Sequence, residues 1–232
     1  MLKRGQPLTA ATDVFRGQAS DQLGTYASSL RDAQGNQLVT IERRTAFFGG
    51  DKLVWTPAGV RKLDMPPRAT IAGLVDSRVI FQTSDDWGAI KAGSVAWAPL
   101  AEVKAGRFTP RLLWAPTDRQ AAQGVATTRG RVIVTYIDNV RGRASVFAPN
   151  AEGWTATAVP LPENISVGVV SATERNDRAY LAVNGFTTPT QLAVLDAAAA
   201  APPRTVKTLP AKFDASGVTV EQFEAVSSDG TK

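Results

Sequence analysis

Apolar and polar residues alternate with a period of two along most of this chain, the mark of half-buried β-strands. Residues 70–75 and 78–82 alternate on either side of Asp76-Ser77, and a two-residue turn between such runs predicts a tight hairpin. Residues 124–128 and 131–136 repeat this grammar around Arg129-Gly130, the second run being rich in β-branched side chains. Residues 167–172 and 179–183 do so again. Earlier, 26–30, 38–41, 53–55 and 60–63 read as strands, separated in part by the turns 32–36 and 57–59, with Gly35 supplying positive φ. Third and fourth strands follow each later hairpin: 94–97 and 111–114, 144–147 and 154–159, 191–195 and 205–208. Residues 13–17 are expected to be a short extended piece. Residues 197–201 are alanine-rich, but Pro202-Pro203 stops a helix, so a surface loop is expected there. Residues 220–226 alternate like a further strand, ahead of a turn at 228–231.

Four of these segments end alike, on an apolar run and a proline: Pro66, Pro116, Pro162 and Pro210, which are 50, 46 and 48 residues apart. A near-constant period of that length, filled with four strands, predicts a β-propeller, in which each sheet buries its faces against its neighbours. The expected fold class is all-β, a partial β-propeller of about four four-stranded blades. Residues 1–22 are a lead-in from a preceding blade, 23–66, 67–116, 117–162 and 163–213 are blades, and 214–232 is a crossover. A β-sandwich also repeats its strands, but it does not require the constant proline spacing.

Composition narrows the chemistry. The 232 residues contain no cysteine and no histidine. Disulfides, thiolate nucleophiles, Cys/His zinc sites and any Ser-His-Asp triad within this chain are thereby excluded. No Asp-rich calcium loop is present, so neither a metal nor a cofactor is expected. The net charge is +5, from 18 arginines and 8 lysines against 21 acids. The basic residues are scattered, never more than two in a row, which argues for a solvated surface and against a nucleic-acid stripe. No apolar stretch approaches the ~20 residues that span a bilayer, and none follows Lys3-Arg4 as a signal peptide requires. No membrane partner is expected; the lack of cysteine suits cytoplasm and periplasm alike, so the compartment stays unknown.

Several stretches together resemble the prolyl oligopeptidase family of serine peptidases. They are Lys3-Arg4-Gly5-Gln6-Pro7-Leu8, Tyr136-Ile137-Asp138-Asn139-Val140-Arg141-Gly142-Arg143, Gly185-Phe186-Thr187-Thr188-Pro189 and Phe223-Glu224-Ala225-Val226-Ser227-Ser228-Asp229-Gly230-Thr231-Lys232. The resemblance implies about four blades of a seven-bladed ring, cut off as an α/β-hydrolase domain begins. It implies that the propeller gates access of short peptides to a nucleophile in that domain. No Gly-x-Ser-x-Gly occurs here, so the chain alone is expected to be inactive and no catalytic residue is assigned. The implied partners are the hydrolase domain of the same parent protein and, through it, a peptide substrate. End blades with bare faces imply self-association. The alternative is a self-contained four-bladed propeller that binds a protein or glycan.

Candidate functional residues lie in two connections. Asp85, Asp86 and Trp87 occupy the long loop of the second unit, corresponding to one the family uses near its substrate cavity. An acidic pair attracts a peptide amino terminus and an indole stacks on proline, whereas a solvated turn with Trp87 closing the sheet edge needs no ligand. Adjacent carboxylates on extended backbone point apart, which disfavours a glycosidase pair. Asp138, Arg141 and Arg143 surround a turn and are candidates for ion pairs to a partner domain, or for a polar hairpin connection with Gly142 at its tight position. Trp55, Trp97 and Trp114 are expected to be packing residues between blades.

Overall fold

The computed structural model describes residues 2–19, 21, 23–199 and 201–230. Sixteen strands form four antiparallel sheets, each a simple meander in chain order. The first holds β1 (Thr25–Arg31), β2 (Gln37–Ala46), β3 (Gly49–Thr56) and β4 (Gly59–Lys62). The second holds β5 (Ala69–Val75), β6 (Arg78–Thr83), β7 (Val95–Pro99) and β8 (Arg111–Trp114). The third holds β9 (Gln120–Thr127), β10 (Val132–Asp138), β11 (Arg141–Pro149) and β12 (Trp154–Ala158), and the fourth β13 (Ile165–Ala172), β14 (Arg178–Gly185), β15 (Gln191–Asp196) and β16 (Arg204–Thr208). The first strands touch in succession, β1 to β5, β5 to β9 and β9 to β13. Four sheets thus fan out from a shared inner edge, as propeller blades do, and do not stack as two layers.

Each pair of neighbouring blades shares a core. Leu38, Val54 and Leu63 of the first blade meet Leu74, Val79 and Phe81 of the second. Val75, Ile80 and Trp97 of the second meet Val132, Val134 and Phe147 of the third. Ile133 and Val146 of the third meet Val167, Leu181 and Leu195 of the fourth. Alternation is what allows this: on β6, Val79 and Phe81 face backward while Ile80 faces forward. Blades splay outward, so the outer part of the wedge needs filling. In the second blade a five-residue helix, α1 (Leu100–Lys104), does this, its Leu100 and Val103 entering the first core.

The meanders place all hairpin turns of the β1–β2 and β3–β4 kind at one end, here the turn end. The β2–β3 loops and the blade-to-blade connections lie at the other, the loop end. Neighbouring blades are clamped at the turn end. The buried Asp32 carboxylate accepts N–H bonds from Gln34 and Asn36, the Asn36 side-chain amide, and Ser77 of the next blade at 2.9 Å. Asp177 does the same between the last two blades, accepting from Thr128 Oγ1 and Gly130 N, both at 2.7 Å. Between the middle blades, Arg78 donates to the Asn150 and Gly153 carbonyls at 2.8 Å while lying against Trp97 and Trp154.

Burial pushes the Asp32 carboxyl up, but the four N–H donors outweigh it and its pKa falls below the usual carboxylate range. A depressed folded pKa contributes stability above the unfolded value, about 3.9, and that stability drains away as pH falls through the folded one. Asp32→Asn is therefore expected to lower stability by about 2 kcal/mol at pH 7. It should also flatten the loss of stability below about pH 4. Urea midpoints of both proteins between pH 7 and pH 2.5 check this.

Several expectations are corrected. Residues 220–226 form no strand despite their alternation, because no neighbouring strand lies beside them to take their hydrogen bonds. The α1 helix was not anticipated. Gly142 lies inside β11, not in the turn, which consists of Asn139 and Val140 with φ of 49° and 62°. Trp97 and Trp114 pack between blades as expected, but Trp55 lies on the bare face of the first blade, with Val39, Ile41 and Phe15 around a groove of about 520 Å³. Ala200 of the alanine-rich loop and Thr231 of the last expected turn lie outside the described residues.

Candidate inter-domain face and access loop

The two ends of the fan differ in chemistry. Among the described residues, no large apolar side chain is exposed in the turn-end connections. At the loop end, Phe47 and Phe48 of the first blade, Val140 of the third and Phe186 of the fourth are all exposed at the tips. After β16 the chain stays at this end. Leu209 N bonds Thr190 O, Asn164 Nδ2 donates to Val220 O at 3.4 Å, and Arg119 pairs with Glu224 at 3.1 Å. Asn164 precedes β13 and Arg119 precedes β9, so residues 220–224 run along the rim where inner strands begin. Phe213, Phe223 and Val226 of this segment are exposed as well.

Asp85, Asp86 and Trp87 are brought together on the 84–94 loop, also at the loop end, but they do different things. Asp85 takes a two-pronged contact from the Arg68 guanidinium, Nε at 2.8 Å and Nη2 at 2.5 Å, and the Arg68 backbone N–H at 3.2 Å. That guanidinium holds its carboxyl below the usual range. Asp86 accepts from Ala92 N at 2.9 Å and Lys91 Nζ at 3.2 Å, and the backbone bond chiefly lowers its pKa. Its side chain is 59% exposed, so charge remains available at the surface. Trp87 turns inward, edge-on to Phe81 and Phe108 at 5.4 and 5.6 Å. It is partly buried against the first core and anchors the loop there.

Arg141 and Arg143 stand two residues apart on β11, hence on one side of the sheet. Both reach Glu163, in the connection to the fourth blade: Arg141 Nη1 at 3.1 Å, Arg143 Nη2 at 2.8 and 2.9 Å. The Arg143 bonds, followed by the field of both guanidiniums, depress the Glu163 pKa. Asp138 does not join this group; it accepts from Gln120 Nε2 at 3.0 Å. Arg68 and Glu163, the partners that organise both candidate groups, were not singled out from sequence, since they sit 17 and 20 or more residues away. The Phe47-Phe48 pair was legible as an anomaly: two phenylalanines where a turn between strands calls for polar residues.

Among the described residues no cluster of acids suits a metal ion, and no helix is long and apolar enough to cross a membrane. The inner strands β5, β9 and β13 each carry one extra residue, Ala72, Gln123 and Val170. Such bulges blunt the free inner edges. Gln123 and Val170 are exposed toward a groove of about 680 Å³ on the channel side.

No protein-family model matches the chain. It is 30% identical to an uncharacterized peptidase, y4nA, of Sinorhizobium fredii, over all of this chain and 33% of that protein. It superposes on a post-proline cleaving enzyme from Rickettsia typhi with a TM-score of 0.81 at 23% identity, covering 99% of this chain and 35% of that one. Against prolyl oligopeptidase B from Galerina marginata the TM-score is 0.66 at 16% identity, covering 99% and 33%. The chain spans about a third of the length of the curated relatives it matches. Over its whole length the chain is thus related to about a third of these peptidases, and its fold is that of the propeller blades of prolyl oligopeptidases.

Proposed function

We propose that this chain gates substrate entry in a serine peptidase that hydrolyses short, proline-containing peptides. Bond cleavage falls to a hydrolase domain elsewhere in the parent polypeptide. What supports the reading most is the asymmetry of the two ends, in a chain related along its whole length to one third of a peptidase. The apolar tips and the segment leaving β16 share the loop end, so a further domain reached through that segment meets the face least suited to water. Residues 1–22 serve as the lead-in, 23–66, 67–116, 117–162 and 163–213 as blades, and 214–232 as the crossover.

Within this reading the blades act by exclusion. A narrow enclosure admits a flexible peptide and rejects a folded protein, and it keeps bulk water from the reacting groups. Asp86, with Asp85 and Trp87 fixing its loop, draws the amino terminus of a peptide toward the cavity. Arg141 and Arg143, held by Glu163, with Asp138 nearby, meet the hydrolase domain. The bare apolar faces of the first and fourth blades cause the isolated chain to self-associate.

The test uses the full-length polypeptide that contains this chain. It is expected to cleave a proline-containing octapeptide, to lose that activity to a serine-directed phosphonate, and to leave a folded 30 kDa substrate intact. The 232 residues alone are expected to cleave neither. Hydrolysis by the isolated chain, or none by the full-length protein, overturns the proposal.

A further inference from the structure

We infer that the Phe47-Phe48 tip is a preformed anchor. It seats in an apolar socket on the polypeptide that the peptidase relatives carry outside this third. The inference rests on reading the loop end as the face of a further domain, and it goes beyond that reading by assigning the grip to one hairpin. The two rings are 74% and 77% exposed and pack edge-on at 4.6 Å, a ready-made aromatic pair with no cover of its own. Aromatic anchors of this kind dominate interface energetics when they enter a dry pocket.

The hairpin beneath the tip is built to stay put. Gly50 donates to Pro67 O at 3.2 Å, and a Cβ on Gly50 would lie 2.2 Å from Arg43 O. A Cβ on Gly49 would crowd Pro67, at 3.1 Å from its own Cβ. The Lys52 ammonium, nearly fully buried, gathers the Gly50 and Pro67 carbonyls and the Glu42 carboxylate at 3.3, 3.5 and 3.1 Å. An extra residue at Thr45 bends β2 just before the tip. A rigid hairpin loses little freedom on docking, which turns the exposed rings into affinity. The occupant follows from where the chain goes. The curated relatives carry about two thirds of their length outside the matched part. Residues 209–226 leave β16 at the same end as this tip, so polypeptide continuing from them starts out on this side.

The test again uses the full-length polypeptide. Benzoylphenylalanine is placed at position 47 or 48, irradiated, and the products mapped by mass spectrometry. Cross-links within one molecule to apolar residues outside 1–232 are expected. Cross-links confined to 1–232, to a second copy, or to none overturn the anchor. Independently, Phe47→Ser with Phe48→Ser should raise the rate of tryptic cleavage within 209–230 by roughly tenfold, and Phe47→Leu with Phe48→Leu should restore it; an unchanged rate overturns the inference. Octapeptide cleavage is followed in the same preparations. Cleavage without cross-links sinks the anchor alone, and cross-links without cleavage sink the peptidase reading alone.

Discussion

Phe81→Ala is expected to destabilise the chain by about 4 kcal/mol. Phe81 is fully buried at the first blade interface. Its ring stacks on Phe108 at 5.4 Å with the planes only 8° apart, and Trp87 closes both edge-on. The three rings come from different places: β6, the 84–94 loop, and the segment behind α1. Removing the Phe81 ring leaves a void bordered by the other two aromatics, which cannot both move into it, so relaxation is small and the cavity cost is nearly complete. Urea denaturation followed by circular dichroism measures the loss. Phe81→Leu, which keeps most of the volume, should cost less than half as much. A loss under about 1.5 kcal/mol for Phe81→Ala would mean the rings do not form one unit. Because Trp87 roots the loop that carries Asp85 and Asp86, the same variant should make that loop the first site of proteolysis.

That loop also shows where sequence reasoning reaches its limit. Alternation around Asp76-Ser77 made the hairpin legible, because both turn residues sit at positive φ in the two-residue turn that strand twist favours. The proline period made the blades legible, because each outer strand must end before the chain can return to the inner edge. By contrast, Leu100-Ala101-Glu102-Val103-Lys104 is too short for a helical period to separate from the strand it follows. Its helical state is decided by the wedge between blades, which only assembly creates. Residues 220–226 fail in the opposite direction: period two is necessary for a half-buried strand, but a strand also needs a partner.

The candidate sites divide the same way. Spacing alone places Arg141 and Arg143 on one side of β11, and the structure brings them together. Their acceptor Glu163 comes from the next blade's connection, which no local pattern reports. Asp85 and Asp86 look alike as an acidic pair, yet one is consumed by Arg68 and the other stays half open to solvent. Charge is legible in a sequence; pairing is a property of the folded neighbours.

Gly142→Ala, the second large effect expected, tests how those neighbours are held. The residue has ordinary extended backbone in β11, so its requirement is space and not conformation. An added Cβ would lie 2.6 Å from Ile165 O, 2.9 Å from Val167 N and 3.0 Å from Ser166 Cα. All three are backbone atoms of β13, and none can rotate aside as a side chain would. The only relief is for the third and fourth blades to part, which opens the core where Ile133 and Val146 meet Val167 and Leu181. A loss of about 3 kcal/mol is expected, the upper part of the range for overpacking. Gly168→Ala is the control. Position 168 has open space and no positive φ, so alanine should be neutral or stabilise by about 0.5 kcal/mol through the lower entropy of the unfolded chain. Gly142 also stands between Arg141 and Arg143. Parting the blades therefore pulls both guanidiniums away from Glu163, and the Glu163 pKa should rise back toward the ordinary carboxylate value in Gly142→Ala but not in Gly168→Ala. Titration of the Glu163 side-chain carboxyl by NMR reads this directly. Equal stability of the two alanine variants would show that β11 and β13 do not approach as closely as the fan of blades requires.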